Sequence, residues 1–155
     1  MDRGDWQRLL HIKTYCQDIA SFIDRFGNSF NSFSGDRAYF SAVSMCILQI
    51  GELSNGLSES FRFETKDEIP WGMIRGMRNW MAHAYNEMDE SVIWETAQND
   101  IPKLYAFCEQ KLQTERVPMK DRFAMAKETA AQRNAERAGS VPGPVAPKKD
   151  DPSLE

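Results

Sequence analysis

Residues 6–27, WQRLLHIKTYCQDIASFIDRFG, decide the fold class. Trp6, Leu9, Ile12, Cys16, Ile19, Phe22 and Phe26 recur every three or four positions, the spacing that puts side chains on one face of an α-helix. Gly27 follows as a C-cap. The same period returns from Asp36 onward through Phe40, Val43, Ile47, Ile50, Leu53 and Leu57. Gly51 interrupts that second helix at a cost of about 1 kcal/mol relative to Ala, which a close helix crossing would justify. Between the two, Asn28 to Gly35 is rich in turn formers and is read as a loop. Pro70 suits the first turn of a third helix, where a missing N–H does no harm, and that helix runs to about Ala84. Asp89 is an N-cap for a fourth, Glu90 to about Thr114, with Val92, Ile93, Ile101, Leu104, Phe107 and Leu112 on its apolar side. Pro102 lies inside this last pattern and is predicted to kink or split it. There is no sustained alternation and no Asn-Gly hairpin signal. The expected fold is all-α, a four-helix bundle.

The functional domain is placed at residues 1–115. Beyond Val117-Pro118 the composition shifts. The 116–138 segment is rich in Ala, Lys, Arg, Glu and Gln and poor in large apolar residues, so it can form a further helix but has no core of its own. Residues 139–155, GSVPGPVAPKKDDPSLE, read as a disordered tail. A net charge of −4 over 155 residues excludes a bulk electrostatic binder of nucleic acid, so any such contact needs a local basic patch. Cys16, Cys46 and Cys108 are isolated and odd in number, and their apolar neighbours point to buried thiols in a reducing compartment. The charged start of the chain lacks a signal-peptide apolar run, and no stretch is long and apolar enough to span a bilayer. The expected location is the cytoplasm.

Chemistry concentrates in one segment. His11 has no Asp, Glu or Cys at ligand spacing and is read as a partly exposed structural histidine. His83 lies in the run from Ile69 to Tyr85. On a helical wheel with Arg78 at zero, Met77, Trp80, Met81, Ala84 and Ile74 span roughly 200° to 320°. Tyr85, Arg78, Ala82, Arg75, Asn79 and His83 occupy the opposite arc, from about −20° to 140°. Residues 71–85 carry two arginines and no acid, so this face is cationic. Arg grips phosphate bidentately, and His moves protons near neutral pH. Together they suit cleavage of an RNA phosphodiester, in which a base activates the 2′-OH and a cation steadies the phosphorane. That route needs no metal or other cofactor, and the histidines and cysteines lack metal-ligand spacing. Two proton transfers served by one histidine call for a symmetric homodimer bringing two copies of His83 and Arg78 to one cleft.

Arg78-Asn79-Trp80-Met81-Ala82-His83 resembles the Arg-x4-His motif of the HEPN superfamily, with a polar residue after the arginine. His83-Ala84-Tyr85 is similar to the His-x-Tyr ending of the HepT-like toxins. Gly51-Glu52, Ile69-Pro70-Trp71 and Asp100-Ile101-Pro102 with Leu104 resemble the same family's pattern, which covers about residues 5–113. The resemblance implies a HEPN-like helical homodimer acting as a metal-independent endoribonuclease toxin. Arg78 and His83 would be catalytic and Asn79 supporting. It also implies an ATP-using, MntA-like nucleotidyltransferase antitoxin that transfers AMP to Tyr85. Tyr85 falls near Arg78 on the wheel, so an attached AMP would set bulk and negative charge where substrate phosphate must bind.

Arg75 would add a substrate contact. Glu52 is read as a surface glutamate, although it could reach the cleft, and Trp71, Trp80 and Trp94 as core rather than base-stacking residues. Two other functions remain in view. One is a non-catalytic HEPN module that binds nucleotide or RNA; the other is a dimerisation domain whose tail recruits a partner.

Overall fold

The computed structural model describes residues 1–83 and 89–114, with Lys127, Ala130 and Ala131. The chain divides into two units, Met1–Arg116 and Val117–Glu155. Apart from those three residues, the segment read as a further helix and the tail lie outside the described residues, as does Tyr85.

Helix α1 spans Arg3–Phe26. It starts at Asp2, whose carboxylate accepts the Asp5 N–H at 2.8 Å. It ends at Gly27, where a φ of 109° lies in the region open to glycine and strained for other residues. Leu9, Ile12, Cys16 and Ile19 are buried, so the opening stripe is the core face, while Phe26 sits at its rim, stacked on Tyr39. Helix α3, Arg37–Asn55, is capped by Asp36, which accepts from Ala38 and Tyr39. Leu57 is buried beyond the end of that helix rather than on it.

Two short helices break regions that carry no helical period. Helix α2, Phe30–Gly35, occupies the expected loop. Ser29 caps it by accepting the Ser32 N–H, and Phe33 drives it inward, fully buried among Tyr39, Phe40 and Trp94. Helix α4, Glu59–Glu64, is capped by Ser58. The buried Asp5 carboxylate accepts both the Ser58 N–H, at 2.8 Å, and the Ser58 hydroxyl, at 2.5 Å. That pair ties the start of α1 to the start of α4, across a sequence gap that local patterns do not bridge.

Helix α5 spans Trp71–His83 directly after Pro70. Helix α6, Glu90–Glu95, opens at Asp89 as expected, and α7 is Ile101–Thr114. Between them Thr96–Asp100 forms a π turn in which the Ile101 N–H reaches back to the Thr96 carbonyl. Glu95 and Ile101, at its two ends, both keep helical φ and ψ. Pro102 does not end the run: the π turn divides it into α6 and α7, and Pro102 is the second residue of α7. The widened turn just before it accommodates a ring that would otherwise crowd the preceding turn, and a missing N–H.

Helix α1 packs on α3 and α7, and α3 packs on α5. The core is a continuous apolar cluster between them, and no strand occurs among the described residues. The all-α bundle stands, with two short helices added. The three cysteines are free and buried. Burial lifts the Cys46 thiol to about 11 and Cys108 to about 12, and raises Cys16 more strongly still. No helix among the described residues is long and apolar enough to cross a membrane.

Candidate active site

The site is built at the crossing of α3 and α5. A Cβ on Gly51 would lie 2.5 Å from the Arg78 Cβ and 2.9 Å from its Cγ, so only a hydrogen fits there. The close crossing expected from a glycine inside a helix is present, and the side chain it admits is Arg78. One residue on, Glu52 turns to the same arginine and accepts its Nε–H at 2.5 Å. Asn79 accepts an Nη1–H at 2.9 Å. Glu52 is thus not a bystander on the surface. It is the residue that sequence reasoning set aside, and the Gly51-Glu52 pair was the available signal.

This cluster is open to solvent, with Arg78 30% and Glu52 43% exposed, so the ion pair adds little to stability. Of the five N–H groups of a guanidinium, one is taken by Glu52 and one by Asn79, leaving three without a partner among the described residues. Such a fork matches two oxygens of a phosphate. The acid that was missing from residues 71–85 arrives from α3, so the face carries less net positive charge than its own sequence implies.

The helical wheel otherwise describes α5 well. Met81 and Trp71 are buried, and Ile74, Met77 and Trp80 pack half-buried against the core. Arg75, Asn79, Ala82 and His83 are exposed. His83 ends the described part of the helix, and no hydrogen bond among the described residues joins it to Arg78, Asn79 or Glu52. The structure thus brings Arg78 and Asn79 together and leaves His83 and Arg75 separate on the same side of the helix. His11 is exposed on α1, and no group of three metal-ligating side chains occurs among the described residues.

The tryptophans divide. Trp71 donates its indole N–H to the Thr65 hydroxyl at 2.8 Å and packs edge-on against Phe107. Trp94 packs on Phe33. Both serve the core. Trp80 also packs on the core with one side and lines an apolar groove of about 530 Å³ with Ile47, Met73, Met77, Val92 and Leu104. A second cavity of about 460 Å³ lies between Ile19, Ile101 and Tyr105. Neither includes Arg78 or His83. The polar cluster is a surface feature.

Residues 12–111 match the family model described as ribonuclease HepT-like. The chain belongs to the HepT-like ribonuclease family. It is 32% identical over 108 residues, covering 70% of this chain and 94% of the relative, to an RNase candidate of Caldanaerobacter subterraneus subsp. tengcongensis. It is 35% identical over 97 residues, 59% of this chain and 87% of the relative, to a protein of Thermococcus cleftensis named for ribonuclease HepT. An RNase candidate of Methanocaldococcus jannaschii is 32% identical over 98 residues, 60% of this chain and 84% of that protein. No solved structure matches significantly. The ribonuclease assignment made from the sequence stands on this HepT-like family membership. The matched span contains the whole α3–α5 crossing, including Gly51, Glu52, Arg78, Asn79 and His83.

Proposed function

We propose that this HepT-like ribonuclease is the toxin of a toxin–antitoxin pair, an endoribonuclease that cuts RNA without a metal at an Arg78–His83 site. The observation that carries the reading is the Arg78 guanidinium, held at the surface by Glu52 and Asn79 with three N–H groups unpartnered among the described residues, on the same side of α5 as the exposed His83. In this reaction the 2′-oxygen attacks the adjacent phosphorus and the bond to the 5′-oxygen breaks. The products are a 2′,3′-cyclic phosphate and a free 5′-hydroxyl. One His83 imidazole takes the 2′-OH proton, and a second delivers a proton to the leaving oxygen. Arg78 meets the charge that builds on the phosphorane, and Asn79 steadies Arg78. The second His83 comes from the partner protomer of a homodimer, which unites two copies of the motif in one cleft. Arg75, exposed on the same side of α5, adds a contact to the RNA backbone.

Control falls to Tyr85. An ATP-using nucleotidyltransferase antitoxin of the MntA type transfers AMP to its hydroxyl, and the added phosphate competes with RNA for Arg78. Wild type, His83→Ala and Arg78→Ala, each expressed without the antitoxin, provide the test. Growth arrest and RNA fragmentation are expected from wild type alone, and purified wild type should cleave RNA in excess EDTA. Equal toxicity and equal RNA patterns from all three would defeat the catalytic assignment. RNA binding by both variants, with no cleavage by wild type, would make the chain a binding module instead.

A further inference from the structure

Arginine is a long, flexible side chain, and one that must meet a developing charge works best when already aimed. Arg78 is held at both ends. Its root lies against Gly51, where nothing larger than hydrogen fits beside its Cβ and Cγ. Its head is held by Glu52 at Nε and by Asn79 at Nη1. The two anchors come from different helices, so the guanidinium's orientation is set by the α3–α5 crossing as well as by α5.

We propose that Glu52 is a positioning residue for the ribonuclease, gripping Arg78 at Nε so that the three free N–H groups face the RNA phosphate. This rests on the reading of Arg78 as the cation that meets that phosphate. A mainly structural role does not suit the pair. It is solvated, and α3 and α5 also pack through apolar side chains, so breaking it costs the fold little. A purely electrostatic role predicts something different again. A carboxylate beside Arg78 lowers the local positive charge, so removing it would tighten RNA binding and leave the chemical step alone. Positioning predicts that binding holds while turnover falls.

The experiment compares wild type, Glu52→Ala, Glu52→Gln and Arg78→Ala on a fluorescein-labelled single-stranded RNA of mixed sequence, together with NMR exchange rates of the Arg78 Nε–H in the unbound protein. Glu52→Ala should lower kcat roughly 10- to 100-fold, as expected for a misaimed catalytic group, with KM changed less than about threefold. Glu52→Gln keeps an acceptor oxygen and should recover most of kcat. The Arg78 Nε–H should be protected in wild type and Glu52→Gln and exchange freely in Glu52→Ala. All three should melt within a few degrees of one another. Full kcat in Glu52→Ala, or a lowered KM at unchanged kcat, while Arg78→Ala is inactive, overturns the positioning role and leaves the site intact. Full kcat in Arg78→Ala overturns the site itself. Continued protection of the Nε–H in Glu52→Ala overturns the grip, whatever the cleavage rates.

Discussion

Gly51→Ala is the substitution that most directly tests the α3–α5 crossing. The added methyl would sit 2.5 Å from the Arg78 Cβ and 3.5 Å from its Cα. Carbon atoms in contact prefer about 3.5–4.0 Å, so the crossing must open by roughly 1 Å or more. The nearest obstructing atom is the Arg78 Cβ, which a rotamer change does not move, so the clash cannot be relieved within the side chain. Overpacking of this kind costs about 1–3 kcal/mol. Replacing a mid-helix glycine by alanine returns about 1 kcal/mol through helix propensity. The net destabilisation should thus be at most about 2 kcal/mol, a melting temperature lowered by at most roughly 10 °C for a domain of this size. The functional effect should be larger in proportion. A catalytic group displaced by about 1 Å can lose on the order of 100-fold in rate. The assay is cleavage of labelled RNA well below the melting transition, with thermal unfolding followed by circular dichroism. A folded Gly51→Ala protein that cleaves RNA at the wild-type rate would refute the claim that this crossing sets Arg78.

The remaining predictions concern the fold away from the site. Asp5→Ala removes a buried acceptor from both the Ser58 N–H and its hydroxyl and should cost roughly 2–3 kcal/mol, measured by urea unfolding. Its cleavage rate should equal wild type at temperatures where it stays folded; a loss of less than about 0.5 kcal/mol would show that the Asp5–Ser58 tie is redundant. The three thiols make stability depend on alkaline pH. Their folded values lie above the ordinary 9.0, so below pH 9.0 both states keep the protons and the stabilisation is complete. From pH 9.0 upward the unfolded chain releases protons that the folded chain retains, and stability should fall by on the order of 1 kcal/mol per thiol per pH unit. A urea midpoint unchanged between pH 8 and pH 10 would contradict this. In the folded state Ellman's reagent should react slowly, reaching Cys46 first because it is the least buried of the three, at 7% exposed.

How far the sequence could be read follows from how far each signal travels along the chain. Helices α1, α3 and α5 were legible because each is long enough to show its own period, and the inward placement of Met81, Ile74 and Met77 needs no knowledge of a neighbour beyond its existence. Helices α2 and α4 are six residues each, under two turns, so no period can establish itself. Their marks are the capping serines Ser29 and Ser58, and serine caps helices and initiates turns alike. Pro102 was judged by a local rule, and the π turn that accommodates it is a backbone choice that leaves no residue-type signature. At the site, Arg78, Asn79 and His83 share a helix and could be placed on one arc. Glu52 could not be paired with Arg78 in the same way, because the pairing depends on how two helices cross. Gly51 was the local trace of that crossing.

Under the proposed assignment, that pairing changes how the site would recognise an RNA phosphate. Read alone, residues 71–85 offer two arginines and no acid, which suggests attraction by net positive charge. With Glu52 on Arg78, much of that charge is answered from α3, in a chain whose net charge is already −4. An anion arriving at such a face gains little from long-range attraction. What distinguishes it is fit to the three oriented N–H groups that remain on Arg78. A site of this kind discriminates in favour of a phosphate that can reach the fork in the right orientation, and the strongest orientation occurs in the transition state, when two oxygens share the developing charge. On the proposed mechanism, the acid that weakens the resting attraction is the same residue that would let the arginine act late in the reaction, where a gain in binding becomes a gain in rate.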